Sequence, residues 1–77
     1  MLRRITDESG VRWDIARGHE SYGAMVILFC ECRGSRVMKS YIYADNAMDA
    51  DAEIDGLSDQ DLLDRLAEAQ PALDPPG

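Results

Sequence analysis

The densest chemical signal in the chain is Met48-Asp49-Ala50-Asp51-Ala52-Glu53-Ile54-Asp55-Gly56-Leu57-Ser58-Asp59, rich in carboxylates and without a base. Alternating carboxylates followed by glycine are how a calcium loop gathers oxygen ligands around a hard cation. Asp51, Glu53, Asp55 and Gly56 match positions 1, 3, 5 and 6 of that pattern. The match then fails, because position 12 falls on Leu62, where a bidentate glutamate is needed, and position 8 on Ser58. A solvated acidic entrance to the following helix explains the same residues, so no metal is expected. His19, Glu20 and Ser21 offer a base, its orienter and a nucleophile. Catalytic partners normally converge from distant segments, and the stretch from Arg17 to Gly23 reads as a connector bounded by glycines. Cys30 and Cys32 with a single histidine fall short of a four-ligand zinc site. Two apart in one strand, their Cα atoms would lie roughly 6.5 Å apart, long for a disulfide. Reduced, partly buried thiols are the expectation. With no phosphate loop and no paired-carboxylate cleft, the chain is expected to be no enzyme and to use no cofactor or small-molecule substrate.

Binding offers more. Arg4, Arg12 and Lys39 fall on one sheet face with Tyr41 and Tyr43, a mixture of bases and aromatics used by platforms for single-stranded nucleic acid. Against this, the chain lacks the glycine-aromatic consensus of RNA-binding sheets and carries a net charge of −7. That charge is divided unevenly: residues 1–44 sum to +2, and residues 45–77 to −9. Such a chain can fold its acidic half onto its basic half or present two charged surfaces. A nucleic-acid binder is the runner-up function, and an acidic mimic of nucleic acid using residues 45–64 a third.

The elements that must position these residues are two hairpins and a helix. Asp7-Glu8-Ser9-Gly10 is a turn cluster, and a three-residue loop pairs Asp7 with Val11, Ile5 with Trp13 and Arg4 with Asp14. That register puts Ile5, Val11, Trp13 and Ile15 on one face, with Arg4 and Asp14 as a cross-strand charge pair on the other. Gly34-Ser35 fits a two-residue type II′ turn between Ala24–Arg33 and Arg36–Tyr43, pairing Cys30 with Lys39 and Ile27 with Ile42. Ser58 is the expected N-cap of a helix over 58–70. Asp61 is at N3, Leu57 and Leu62 form a hydrophobic staple, and Asp61 pairs with Arg65. Pro71 stops that helix, and residues 71–77 read as a loose tail after a single domain over 1–70. Residues 44–56 are open: Asn46 to Glu53 has a helical look, but the segment reads equally as a loop.

The run Asp7-Glu8-Ser9-Gly10-Val11-Arg12-Trp13-Asp14, followed by Ser21-Tyr22-Gly23 and an apolar strand ending in Phe29, resembles a group of small uncharacterised bacterial proteins. The resemblance covers roughly the first 30 residues and the leucine-rich helix. Its motifs are turn and core motifs, so it implies the hairpins and no activity.

The expected fold is therefore α+β, a four-stranded antiparallel meander with one C-terminal helix across one face. Trp13, Ile5, Ile15, Ile27, Phe29, Met38, Ile42, Leu62 and Leu66 would form its core. No apolar run approaches the ~20 residues of a spanning helix, and Met1–Asp7 has no secretory apolar segment, so a cytoplasmic protein is expected. Strand 24–30 is apolar on both sides, yet one helix can cover only one of them. The uncovered side, carrying Val26, Leu28, Val37, Lys39, Tyr41 and Tyr43, is the expected interface of a protein-interaction module. Its simplest partner is a second copy in a twofold homodimer.

Overall fold

The computed structural model describes residues 3–19 and 23–72. Asp7 sets the first hairpin. Its carboxylate accepts hydrogen bonds from the amides of Ser9 (2.9 Å) and Val11 (3.0 Å) and from the indole N–H of Trp13 (3.0 Å). The indole bond in particular, joined by the two amides, holds the Asp7 carboxyl below its ordinary pKa. Gly10 supplies the positive φ, +85°, that closes the three-residue loop. The strands β1 (Arg3–Thr6) and β2 (Arg12–His19) then pair as expected, Ile5 against Trp13 and Arg4 against Asp14.

The second hairpin departs from the expected turn. Strands β3 (Met25–Glu31) and β4 (Val37–Ile42) pair Cys30 with Val37, Leu28 with Lys39 and Met25 with Ile42. The register is two residues away from the one a Gly34-Ser35 turn demands, and Cys32 to Ser35 form a four-residue loop. A type II′ turn needs a positive φ at its first glycine, and Gly34 has none. Glu31 closes the loop instead. Its amide donates to the Arg36 carbonyl (3.0 Å), its carboxylate pairs with the Arg36 guanidinium (2.9 Å), and its side chain fills the space beside Gly34. A shift of two residues preserves side-chain alternation, so the assignment of residues to faces survives.

Two helices, not one, cover the sheet, and both lie on the same side. Helix α1 (Ala47–Gly56) settles the open segment: Asn46 caps it by accepting from the Asp49 amide at 2.9 Å, and Ala50 and Ile54 turn inward to pack over β2 and β3. Helix α2 (Asp59–Ala67) packs over β4 and β1 through Leu62. It begins at the expected Ser58 cap, whose hydroxyl accepts from the Asp61 amide while the Asp61 carboxylate accepts from the Ser58 amide, each at 3.1 Å. It ends earlier than expected, at Ala67. The chain turns back so that β5 (Gln70–Pro71) can pair with β4, and the Ala72 amide donates to the Val37 carbonyl at 2.8 Å. The start of the supposed loose tail is thus a fifth strand; residues 73–77 lie outside the described residues. Proline is tolerated there because an edge strand leaves one side unpaired. Arg65 does not pair with Asp61 as expected but donates to the Tyr41 carbonyl (3.2 Å).

The result is a five-stranded antiparallel sheet in the order β1-β2-β3-β4-β5 backed by two helices, a slab of 36 × 33 × 21 Å. Its core is the expected Ile5, Trp13, Ile15, Ile27, Phe29, Ile42 and Leu62, extended by Ala50 and Ile54 from α1, with Met38 and Leu66 at its margin. No described helix is long and apolar enough to cross a membrane. Replacing Ser58 by Ala removes a reciprocal cap and should cost about 1 kcal/mol. In a domain of this size that is a fall in melting temperature of about 4–8 °C. An unchanged thermal melt would show that the cap contributes nothing.

Candidate functional site

The candidate chemistries disperse once placed on the fold. Asp51, Glu53 and Asp55 lie in α1, where successive residues point about 100° apart and residues two apart diverge to opposite sides. Asp51 is already bound to Arg17 at 2.8 Å. Among the described residues no three metal-donor side chains gather. His19 is exposed at the end of β2, and its supposed companions Glu20 and Ser21 lie outside the described residues. Cys30 and Cys32 are free and half-buried. Burial, reinforced by the nearby Asp14 carboxylate, pushes the Cys30 thiol up, which keeps it protonated and unreactive.

The sheet face opposite the helices holds the expected interface residues. Alternation along β2, β3 and β4 sets Arg12, Asp14, Ala16 and Gly18 beside Cys30, Leu28 and Val26, and these beside Val37, Lys39 and Tyr41. No described element lies across this face. Its apolar side chains nevertheless cover one another. Gly18 stands opposite Val26 without a side chain of its own, and Leu28 leans over the gap, with its Cδ1 2.7 Å and the Val26 Cγ2 3.1 Å from where a Gly18 Cβ would sit. Val26 is consequently only 2% exposed, a buried residue of the sheet that offers a partner almost nothing. Leu28, Val37 and Lys39 are half-buried, while Tyr41 is 43% and Tyr43 97% exposed.

Charge on this face is partly spent within the molecule. Arg4 is paired with Asp14 at 2.8 Å, an arrangement that raises the guanidinium pKa and lowers that of the carboxyl. The Lys39 ammonium sits 5.5 Å from the centre of the Tyr41 ring. Of the three cations read as a nucleic-acid platform, Arg4 is thus neutralised by its cross-strand neighbour. The acidic half divides in the same way: Arg3 and Arg17 reach up from the other face to Asp59 (2.6 Å) and Asp51, whereas Asp45, Asp49 and Glu53 make no ion pair among the described residues.

A feature that sequence reasoning missed lies where β4 runs into α1. An open groove of about 650 Å³ is bounded by Met25, Tyr41, Tyr43, Ala44, Asp45 and Asp49. Tyr41, Tyr43 and Met48, the large hydrophobics exposed among the described residues, all belong to this end of the slab. The signal was present in Tyr41-Ile42-Tyr43, but its meaning depends on where residues 44–56 go, and their periodicity is weak. Searches of protein-family models, of curated proteins and of solved structures find no match to this chain.

Proposed function

We propose that the chain is a non-enzymatic interaction module that associates with a second copy of itself through its open sheet face. One observation carries the reading: both helices stack on the same side of the sheet, so the other side, with Leu28, Val37, Lys39 and Tyr41, has no covering element among the described residues. The alternative in which residues 44–56 fold back over that side is removed, because α1 buries Ala50 and Ile54 on the helix-covered face and leaves Met48 80% exposed. A slab 36 × 33 Å across offers a broad face larger than the ~800 Å² that a standard interface takes from each partner. Its middle is apolar and its margin carries tyrosine and arginine, the layout of a specific interface. Stacking two such sheets face to face about a twofold axis is the simplest closed assembly. Val26 acts in this reading as support beneath Leu28, and the contact residues are Leu28, Val37, Lys39 and Tyr41, while Tyr43, past the end of β4, stays outside the contact.

Sedimentation equilibrium tests it. The parent chain is expected to be a dimer at micromolar concentration, and Leu28→Lys, which plants a charge at the centre of the face, should turn it into a folded monomer. A parent that stays monomeric at high micromolar concentration ends the proposal. A dimer indifferent to Leu28→Lys also ends it, by putting the interface elsewhere.

A further inference from the structure

We infer that the groove between the end of β4 and the start of α1 binds an extended basic segment of another protein, with arginines at alternate positions. Three observations converge there. The first is the charge left over after folding. Asp51 and Asp59 are matched by Arg17 and Arg3, but among the described residues Asp45, Asp49 and Glu53 make no ion pair; Asp45 and Asp49 line the groove, and Glu53 follows one turn on along α1. Asp49 accepts only a 3.3 Å hydrogen bond from the Asn46 side-chain amide, which leaves one carboxylate oxygen for a ligand. Second, the exposed rings and thioether gather at the same end. Lys39 lies over Tyr41, so Tyr43, 97% exposed, is the ring left open to a cation. A guanidinium suits such a place because it stacks on an aromatic face while its fork engages a carboxylate.

That arrangement already exists among the described residues. Arg36 lies 5.0 Å from the centre of the Trp13 ring and pairs with Glu31 at 2.9 Å. Tyr43 and Asp45 present a ring and a carboxylate with no arginine between them. The third observation is spacing. Asp49 and Glu53 are one helical turn apart, about 6 Å along the axis of α1. Alternate side chains of an extended strand repeat at about 6.6 Å, so every second residue of a bound segment can meet the next carboxylate. The aliphatic stems of those arginines would lie along Met48 and the apolar lining of the groove.

The test is fluorescence anisotropy with a labelled peptide Arg-Ser-Arg-Ser-Arg, acetylated and amidated, against the same residues in the order Arg-Arg-Arg-Ser-Ser. The alternating peptide is expected to bind more tightly than the block peptide, and its affinity to fall steeply with salt. Tyr43→Ala should weaken it about 3- to 5-fold by removing the ring. The pair Asp45→Asn and Glu53→Gln should weaken it about 10-fold by removing charge-assisted bonds. Both variants change exposed side chains and should keep the parental circular dichroism. Leu28→Lys should leave peptide affinity unchanged whatever it does to oligomeric state, which separates this site from self-association. Equal affinity for the two peptides, or indifference to Tyr43→Ala, would overturn the inference and reduce the groove to a solvated acidic surface.

Discussion

Phe29→Ala should leave the chain largely unfolded at room temperature. Phe29 sits in the middle of β3, paired with Ile15 on one side and Met38 on the other, and is fully buried under the helices. Among the described residues it is the largest side chain with no exposure at all. Removing a buried phenylalanine ring costs about 3–5 kcal/mol, part from lost transfer and part from the cavity left behind. A chain of 77 residues holds only about 4–12 kcal/mol in total, so the loss takes a large share of it. Collapse around the hole is restricted, because Ile15, Ile27 and Leu62 are themselves fully packed and fixed by sheet register or helix position. Phe29→Leu, which keeps an apolar filling, should retain a cooperative transition. Trp13, the single tryptophan and buried in the same core, reports the unfolding by fluorescence in a urea titration. A Phe29→Ala transition within a few tenths of a molar of the parent would show that the core repacks freely.

The reason Phe29 was visible in the sequence also explains what was not. Alternation is a local property, and it survives errors in loop length. Ile27 and Phe29 were assigned to the core side under a register wrong by two residues, because a shift of two returns every side chain to the same face. The Ser58–Asp61 cap was equally legible, since its hydrogen bonds span only three residues. Legibility stops where a residue's role depends on distant chain. Gly34-Ser35 looks like a tight turn until the Glu31–Arg36 pair claims the loop. Residues 44–56 carry too weak a hydrophobic pattern to say which side of the sheet they join, and the exposure of Tyr43 and Met48 follows from that choice. Val26 was counted as surface because its face is open. It is buried because Gly18, eight residues away on the neighbouring strand, lets Leu28 lean across. A pattern of hydrophobicity marks faces; it does not measure how neighbours shade one another.

Arg3 is the residue whose importance was least visible, and its removal should have the second largest effect. It lies at the edge of the sheet in β1, where an arginine is usually only a solubilising edge charge. Here its guanidinium reaches the junction of the two helices. One amino group donates to the Leu57 carbonyl at 2.5 Å and, at 3.5 Å, to the Ile54 carbonyl, both at the end of α1. The other pairs with Asp59 in the first turn of α2 at 2.6 Å. Carbonyls at a helix C-terminus lack regular helical partners and carry partial negative charge; the Ile54 carbonyl accepts the Leu57 amide at 3.1 Å, and α1 has no basic residue in its own last turn. A single side chain from the first strand therefore ties the end of α1 and the start of α2 to the sheet. Hydrogen bonds to a charged group contribute about 1.5–3 kcal/mol, so Arg3→Ala should cost roughly 2 kcal/mol. Arg3→Lys should restore only part of this, since one ammonium cannot fork between carbonyls and a carboxylate in the same geometry. Asp59 is largely exposed, and its ion pair with Arg3 should contribute less than about 1 kcal/mol. Urea titrations of Arg3→Ala, Asp59→Ala and the double variant separate the two contributions. The expected order is a large loss for Arg3→Ala, a small one for Asp59→Ala, and a double variant close to Arg3→Ala. If Asp59→Ala alone costs as much as Arg3→Ala, the ion pair rather than the carbonyl clamp anchors the helices to the sheet.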